Sequence, residues 1–282
     1  MPLDPVLVHE AVARALREDV GPGDVTTLAC IPADRSARAV MRARQPLVLA
    51  GLPLAIEAFR QLSPGIAFGS PAPEGARLAR GDAALVASGP ARALLTAERT
   101  ALNFVQRLSG VATLAARFVE AVRGTRARIL DTRKTTPGWR VFEKHAVACG
   151  GATNHRAGLW DLVLVKDNHL AALAGEPPDP VTAAVRRARA LYPSLRVEVE
   201  ADNLDQVRLA VAAGADIVLL DNMGPEMLRE AVALVGGRCQ TEASGGVNLD
   251  TVRAIAETGV DFISCGAITH SAPAADLALD FE

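Results

Sequence analysis

A repeated strand–loop–helix pattern in the second half of this 282-residue chain restricts the possible fold more than any other feature. Six short apolar runs stop at a polar residue or a glycine, namely Asp131, Lys166, Glu200, Asp221, Ser244 and Gly266. The last four positions are 21, 23 and 22 residues apart, which is typical of a βα unit. Apolar strands that alternate with helices predict a parallel sheet covered on both faces. Because the carboxyl ends of such strands converge on the active site, these positions are candidate site residues.

The number of visible strands limits the architecture. About six strand-like runs can be recognised, fewer than the eight of a complete α/β barrel. We therefore predict an open or incomplete α/β barrel for this part of the chain. Of the two glutamates in "VEVE", we expect Glu200, nearer the strand end, to face the interior and Glu198 to face the helices.

The first third of the chain follows a different pattern. The stretch "PVLVHEAVARALREDV" has helical spacing, and the turn-rich "GPGDVTT" after it predicts a loop in which Asp24 caps or binds. "SARAVMRAR" predicts a half-buried strand, and "GARLARGDAALVASGP" predicts a hairpin that turns at Gly81 and Asp82. A long amphipathic helix follows, which we expect Ser109 and Gly110 to interrupt at a domain junction. This third is predicted to be an α+β unit.

Charge and cysteine content disfavour several classes of protein. The formal net charge of −2 provides no footprint for nucleic acid, so any basic site must be local and suited to a small anion. The four cysteines form no Cys-x-x-Cys pair, which disfavours a zinc ribbon or a disulfide framework. No uncharged run approaches the ~20 apolar residues of a membrane span. We expect a cytoplasmic protein that binds neither nucleic acid nor membrane.

Cationic side chains cluster near the first strand ends. Only three of the 30 basic residues are lysines, of which we assign function to Lys134 and Lys166 and expect Lys144 to lie on the surface. The cationic group comprises Arg133, Lys134, His155, Arg156 and Lys166. Such a cluster favours a multiply anionic ligand, because arginine binds carboxylates and phosphates with two parallel hydrogen bonds.

Two carboxylates lie at the ends of adjacent strands. Glu200 and Asp221 suggest either Mg²⁺ held jointly with substrate phosphates or hydrogen bonds to ribose hydroxyls. General acid–base catalysis also stays open, because the spacing is not specific for one role.

The last two strands are followed by glycine-containing loops. "SGGVNLD" lets the backbone approach a ligand at Ser244, Gly245 and Gly246, and we expect the helix after it to offer its amino end. "CGAITH" repeats the arrangement at residues 266–268, which together predict a phosphate site. No cysteine or serine has an obvious base partner and no GxGxxG motif is present, so covalent catalysis and hydride transfer are disfavoured.

Eight motifs in order carry a specific resemblance: "AERTALNFVQRLSGVAT", "DTRKTTPGWR", "GGATNHR", "VLVKDNH", "EVE", "LLDN", "EASGGV" and "CGAITHS". In these the chain resembles quinolinate phosphoribosyltransferase, from "GDVTT" nearly to the C-terminus. The resemblance implies an N-terminal α/β-sandwich domain at 1–110, rejoined by 271–282, and an open α/β-barrel domain at 111–270. "ADLALDF" has the alternation of such a returning strand.

The resemblance also implies a reaction. Quinolinate and 5-phosphoribosyl 1-diphosphate would give nicotinate mononucleotide, diphosphate and CO₂ with Mg²⁺, as a step of NAD biosynthesis. Lys134, Lys166, Glu200 and Asp221 would be catalytic, and the last two would hold the ribose and the metal. The substrates would contact a larger set: Arg99, Thr132, Arg133, Lys134, His155, Arg156, Lys166, Glu200, Asp221, Ser244, Gly245, Gly246, Gly266, Ala267, Ile268 and His270.

The family resemblance implies an assembly as well. Arg99 would reach the site from another subunit, so a homodimer is implied, with a hexamer of dimers left open. Two alternative functions are a molybdate-transport-associated paralogue of the same fold and a non-catalytic phosphate-binding protein. The second alternative would need only the glycine loops, which leaves the cation cluster unexplained.

Overall fold

The computed structural model describes residues 3–282, so the first two residues of the predicted N-terminal domain lie outside the described part. The chain forms two compact units. The first contains the chain through Ala116 together with Pro137–Gly151 and Ser271–Glu282, and the second contains Arg117–Thr136 and Ala152–His270. Within residues 3–282, no helix is both long enough and apolar enough to cross a membrane.

The secondary structure alternates along the chain. The helices are α1 (Pro5–Val20), α2 (Val25–Cys30), α3 (Leu52–Leu62), α4 (Ala91–Ala121), α5 (Arg140–Cys149), α6 (Asp167–Ala172), α7 (Pro180–Leu191), α8 (Leu204–Ala213), α9 (Pro225–Val235), α10 (Val252–Ala256) and α11 (Ala267–His270). The strands are β1 (Ser36–Ala43), β2 (Leu47–Val48), β3 (Ala67–Phe68), β4 (Arg77–Leu78), β5 (Ala83–Pro90), β6 (Arg128–Leu130), β7 (Val163–Val165), β8 (Val197–Ala201), β9 (Ile217–Asp221), β10 (Gln240–Ser244), β11 (Phe262–Ser264) and β12 (Leu277–Phe281).

The first unit is built on an antiparallel sheet in the order β12-β1-β5-β3. The C-terminal strand β12 pairs with β1, with Leu279 opposite Met41, so the segment with the alternating pattern does return to this unit. The predicted hairpin at Gly81 and Asp82 is wrong in its pairing. β4 pairs with β2, and β5 pairs with β1 and β3. The turn instead hydrogen bonds to the end of β1, where the Gly81 amide donates to the Ala43 carbonyl at 2.8 Å.

Two local predictions for the first unit are corrected by the structure. "VTT" in "GPGDVTT" is helical, because Asp24 is the N-cap of α2 and accepts a hydrogen bond from the Thr27 amide at 3.0 Å. α4 runs without interruption through Ser109 and Gly110. The Ser109 hydroxyl bonds to the Ala50 amide at 3.0 Å and carbonyl at 3.2 Å, and a Cβ at Gly110 would overlap the Pro273 carbonyl oxygen. Both residues therefore serve close packing of the helix rather than a break.

The second unit is a parallel sheet in the order β6-β11-β10-β9-β8-β7. β6 and β7, which follow one another in the chain, are the two edge strands of this sheet. From β7 to β11 each strand pairs with the next one in the chain, and β11 pairs with β6. This is the strand order of an α/β barrel that is open between β6 and β7. The central strand β9 is buried from Ile217 to Leu220, as expected when helices cover the sheet. α8 and α9 end at glycines in the left-handed conformation, Gly214 and Gly236. The predicted α/β class, with an open barrel and a separate N-terminal α/β domain, is confirmed.

The unit boundaries differ from the predicted domain boundaries in two respects, because residues 111–116 and Pro137–Gly151 belong to the first unit. The prediction assigned all of 111–270 to the barrel, whereas Pro137–Gly151, which contains α5, packs with the first unit. Within that unit, Trp139 stacks on Phe104 with ring centroids 5.3 Å apart, and a Cβ at Gly150 would overlap the Ala112 carbonyl oxygen. These contacts with α4 hold Pro137–Gly151 in the first unit.

Candidate active site

A pocket of about 480 Å³ lies at the carboxyl ends of the parallel strands of the second unit. Its volume falls within the ordinary range for small-molecule sites. It is lined by Thr132, Arg133, Lys134, His155, Arg156, Leu164, Lys166, Asp167, Glu200, Leu219, Asp221, Glu242, Ser244 and Ser264. Strand ends far apart in the sequence thus meet in one place, as the parallel sheet predicts.

Two arginines, Arg133 and Arg156, line this pocket close enough to repel each other. The Arg133 Nε is buried and has no hydrogen-bond partner among the described residues. Burial, together with the repulsion of Arg133, lowers the pKa of Arg156. The Arg156 side chain donates a long hydrogen bond, 3.3 Å, to the Leu162 carbonyl. A buried donor without a partner costs free energy, so this pair is arranged for an anion that arrives from outside.

His155 lies between two buried carboxylates. Its Nε2 is 3.2 Å from the Glu198 carboxylate and 3.4 Å from the Glu242 carboxylate, and both glutamate side chains are essentially fully buried. Glu198 projects from β8 and Glu242 from β10, on either side of β9. Its Nδ1 accepts a hydrogen bond from the Arg156 amide at 2.7 Å. Both ring nitrogens are therefore engaged with the protein itself.

The protonation of this trio follows from burial and from charge. Burial alone lowers the pKa of His155, but the contacts with Glu198 and Glu242 outweigh it and raise the pKa to about 10. Burial and the charge of Glu242 raise the pKa of Glu198 to about 7. The Arg156 amide requires a lone pair on Nδ1, which instead favours the neutral ring with its proton on Nε2. In both forms Nε2 carries a proton and lies close to the two carboxylates.

The segment that carries His155 is held by Asp131 at the end of β6. The Asp131 carboxylate is fully buried and accepts hydrogen bonds from the Asn154 side chain and the His155 amide, both at 2.7 Å. The polar residue at this strand end therefore positions the neighbouring segment, and it does not line the pocket.

Lys166, Glu200 and Asp221 form the second charged group. Lys166 Nζ lies 2.9 Å from the Glu200 carboxylate. Burial and the charge of Glu200 raise the pKa of Asp221, whereas Lys166 and Lys134 act in the opposite direction. Two neighbouring carboxylates are the hard oxygen ligands that Mg²⁺ takes from a protein when phosphates and water supply the rest. The residues present thus fit such an ion.

The loop after β10 is shaped by backbone geometry. Gly245 and Gly246 both have positive φ, at 91° and 62°. A Cβ at Gly245 would overlap the Asn222 side chain, whose own backbone amide bonds to the Ser244 carbonyl at 2.9 Å. The expected helix does not start directly after this loop. α10 begins only at Val252, so backbone amides of the loop, rather than a helix end, are available there.

The loop after β11 differs, because α11 starts directly after Gly266. A Cβ at Gly266 would lie 2.9 Å from the Lys134 side chain and 3.2 Å from the His270 ring. The Thr269 hydroxyl donates to the Lys134 carbonyl at 2.7 Å. These contacts place the loop of Lys134 beside the loop that follows β11.

Most of the predicted site residues meet in the pocket, but not all. The lining includes Thr132, Arg133, Lys134, His155, Arg156, Lys166, Glu200, Asp221 and Ser244. The remaining predicted residues are outside the lining: Gly245, Gly246 and Gly266 in the loops after β10 and β11, Ala267, Ile268 and His270 in α11, and Arg99, which is exposed on α4. Lys144, expected on the surface, is instead buried in α5 at 7% exposure.

The expectation that Glu198 faces the helices is wrong. Residues two apart in a strand share a face, so Glu198 points to the same side as Glu200. Glu242 was missed, although it lies two residues before Ser244 and therefore shares its face. The available signal was this spacing of two residues from Ser244, which was already a candidate. Nothing in the local pattern of Leu164, Leu219, Asp167 or Ser264 separated them from structural residues.

Comparisons with known proteins identify the family. Residues 24–109 match the model of the N-terminal domain of quinolinate phosphoribosyl transferase. Residues 111–280 match the model of its C-terminal domain.

Individual relatives extend over the full chain. The nicotinate-nucleotide pyrophosphorylase [carboxylating] of Mycobacterium leprae is 42% identical, with 96% of each chain covered. The nicotinate-nucleotide pyrophosphorylase structure from Francisella tularensis superposes with a TM-score of 0.94 at 38% identity, covering 100% of this chain and 98% of the other. NadC from Streptococcus pyogenes gives the same TM-score at 39% identity, covering 100% and 99%. The chain therefore belongs to the quinolinate phosphoribosyltransferase family.

Proposed function

We infer that this chain transfers the phosphoribosyl group of 5-phosphoribosyl 1-diphosphate to quinolinate and releases CO₂. The other products are nicotinate mononucleotide and diphosphate, which makes the reaction a step of de novo NAD biosynthesis. One observation supports the assignment most directly: the buried Arg133 Nε has no partner among residues 3–282 and lies in the same pocket as Arg156, Lys134 and Lys166. A pyridine dicarboxylate would accept hydrogen bonds from the two arginines, and a diphosphate would contact the two lysines.

Quinolinate would bind at the end of the pocket that contains the two arginines. Each guanidinium can take one carboxylate with two hydrogen bonds, which orients the ring as well as binding it. His155 supports this end indirectly, since its ring nitrogens already contact Glu198, Glu242 and the Arg156 amide. Its proton offsets the buried carboxylates, which would otherwise repel the substrate.

The phosphoribosyl donor would occupy the other end. Glu200 and Asp221 would hold the ribose hydroxyls and Mg²⁺, and the loops at Ser244–Gly246 and Gly266–Ile268, with His270, would bind the 5-phosphate. When bound, Mg²⁺ would offset the charge of the diphosphate. Lys134 and Lys166 would contact the departing diphosphate oxygens.

The reaction then follows from orientation and electrostatics. The quinolinate nitrogen bonds to the ribose anomeric carbon as the bond from that carbon to diphosphate oxygen breaks, through an oxocarbenium-like state. The ring nitrogen becomes cationic, and its charge stabilises the electron pair that stays on the adjacent ring carbon when the carboxylate departs as CO₂. A proton takes the place of the lost carbon. Since the cationic ring of the substrate stabilises this electron pair, the chain needs only to hold the substrate and to exclude misaligned poses.

A homodimer is part of this proposal. The family resemblance implies that Arg99 completes the site of another subunit, and Arg99 is exposed on α4, in keeping with such a role. The choice between a dimer and a hexamer of dimers, and the cytoplasmic location, stay predictions.

The direct test uses purified protein, Mg²⁺ and 5-phosphoribosyl 1-diphosphate with either quinolinate or nicotinate. Chromatography should reveal nicotinate mononucleotide, with an equal amount of CO₂, from quinolinate only. Product from nicotinate with no CO₂ would contradict the dicarboxylate assignment. A folded protein that binds the donor but forms no product would favour the molybdate-associated paralogue or a phosphate-binding protein.

A further inference from the structure

Three potential metal ligands meet in the first unit, apart from the pocket. Glu74 lies in the loop between β3 and β4, and His145 and Cys149 are one turn apart on α5. His145 Nε2 is 2.7 Å from the Glu74 Oε2 and 3.5 Å from the Cys149 Sγ, and Sγ is 3.9 Å from the same carboxylate oxygen. All three residues are partly buried, so the cluster is confined yet within reach of solvent ions.

The geometry is close to that of a tetrahedral site. Zinc bonds to nitrogen, oxygen and sulfur of about 2.0 to 2.3 Å imply ligand atoms roughly 3.3 to 3.6 Å apart. The nitrogen–sulfur separation of 3.5 Å already meets this requirement. The sulfur–oxygen separation of 3.9 Å is slightly long, and the nitrogen–oxygen separation of 2.7 Å is short because these atoms share a hydrogen bond. An ion that replaces the shared proton would need shifts well below ~1 Å.

The carboxylate is also fixed in advance. Glu74 accepts hydrogen bonds from the Gly51 amide at 2.9 Å and the Leu52 amide at 3.0 Å, at the start of α3. These bonds orient the ligand oxygen, as outer partners do in metal sites. A helix that offers histidine and cysteine four residues apart presents both to the same side.

We propose that Glu74, His145 and Cys149 bind Zn²⁺ or a similar thiophilic divalent cation, with a fourth position open to water. Binding releases the thiol proton of Cys149 and the proton shared by His145 and Glu74, so affinity rises with pH. The similar trio of His155, Glu198 and Glu242 lacks a sulfur ligand and belongs to the pocket already described. This inference does not depend on the proposed function.

The test uses full-length protein stripped with a chelator and titrated with Co²⁺ or Zn²⁺ in the absence of substrates. Co²⁺ should produce a near-ultraviolet thiolate charge-transfer band at one equivalent, which a site made of carboxylates alone cannot produce. Calorimetry with Zn²⁺ should also give one tight site per chain. No band, or no tight Zn²⁺ binding, would overturn the proposal.

Variants locate the site. Cys149→Ser should abolish the band and weaken Zn²⁺ binding at least about 100-fold, since loss of even an outer partner costs 10–100-fold. Glu74→Gln and His145→Gln should each weaken binding while the band shifts or fades. Cys30→Ser, at an exposed cysteine outside the cluster, is the matched control and should leave both signals unchanged.

Each variant should first show a wild-type melting curve without metal. A band that survives in Cys149→Ser, or disappears in Cys30→Ser, would refute the assignment.

Discussion

At the scale of single residues, the pocket keeps side chains of like charge close together. Arg133 has a buried Nε without a partner among the described residues, and it depresses the pKa of Arg156 by repulsion that adds to the effect of burial. On the opposite side, Glu200 raises the pKa of Asp221 beyond the effect of burial. Like charges kept close together in this way are typical of sites that stabilise a ligand of the opposite charge.

The first prediction concerns Arg133. Arg133→Ala should lower kcat/KM for quinolinate at least about 100-fold, because two hydrogen bonds to a charged group contribute ~1.5–3 kcal/mol each. Affinity for 5-phosphoribosyl 1-diphosphate should change much less. Steady-state kinetics with each substrate varied, together with donor binding by calorimetry, measures both effects.

Arg186→Ala, at an exposed arginine of α7, is the control and should leave both parameters near wild type. Equal losses for quinolinate and for the donor in Arg133→Ala would mean that Arg133 does not distinguish the two substrates.

The second prediction concerns the support of His155. Glu242→Gln removes one of the two carboxylates that raise the pKa of His155 to about 10, so this pKa should fall. The ring of the variant should therefore lose its proton at a lower pH than the wild-type ring does. The KM for quinolinate of the variant should then rise with pH, by up to about tenfold per pH unit, while the wild-type KM stays flat.

Stability gives an independent readout of the same group. A histidine whose pKa is raised on folding stabilises the protein fully below its unfolded pKa of about 6.5, and that contribution is lost as pH rises towards 10. Wild-type melting temperatures should therefore fall between pH 7 and 10 more steeply than those of Glu242→Gln. Parallel curves would show that His155 is already neutral, as the Arg156 amide contact favours.

At the scale of elements, loops and helices depend on glycines for two different reasons. Gly245 needs both a positive φ of 91° and the space that Asn222 leaves. Gly110 sits in the interior of α4, where alanine has the higher helix propensity, yet a Cβ there would meet the returning segment at Pro273.

The third prediction separates clash from backbone strain in the loop after β10. Gly245→Ala should raise the KM for 5-phosphoribosyl 1-diphosphate more than Gly246→Ala, because both positions have positive φ but only a Cβ at Gly245 meets another residue. The strain common to both should amount to ~1 kcal/mol. Kinetics and thermal melting of the pair make the comparison. Similar KM values for the two variants would remove Asn222 from the explanation.

The fourth prediction concerns Gly110. Gly110→Ala should destabilise the protein by about 1–3 kcal/mol, because the added methyl group is forced against the Pro273 carbonyl. Helix propensity alone would predict a gain of ~1 kcal/mol, so the sign of the change decides between the two effects. Urea unfolding measures it, and Arg117→Ala on the exposed side of α4 should change stability little.

At the scale of the whole molecule, the proposed dimer would complete the site. The pocket of the second unit already contains the cations, the carboxylates and Ser244, whereas Arg99 belongs to the first unit. If Arg99 acts on another copy, activity requires association, and each dimer has two sites related by symmetry.

The fifth prediction follows from that arrangement. Arg99→Ala and Lys166→Ala should each be nearly inactive, but mixtures refolded together should recover about a quarter of wild-type activity, because half of the dimers are mixed and each has one intact site. Mixing without refolding is the control for exchange. No recovery in mixtures proven to contain mixed dimers would show that both residues serve the same subunit's site.

The barrel strands and most of the pocket residues could be predicted from the sequence. Each strand from β6 to β11 coincides with a predicted apolar run, and Lys166, Glu200, Asp221 and Ser244 do meet at their ends. This success has a physical reason: the spacing of apolar residues is local, and parallel strands of similar length bring their carboxyl ends to one edge whatever the remaining packing is.

The contacts between distant segments became visible in the three-dimensional structure and could not be predicted from the sequence. The three-dimensional structure kept α4 continuous through Gly110, paired β4 with β2, and assigned α5 to the first unit. It also brought Glu198 and Glu242 from strands on either side of β9 to the same imidazole, His155. None of these outcomes has a local signal, because each depends on which surfaces approach one another across the fold, and a buried charge is tolerated only where the complete structure supplies its partner.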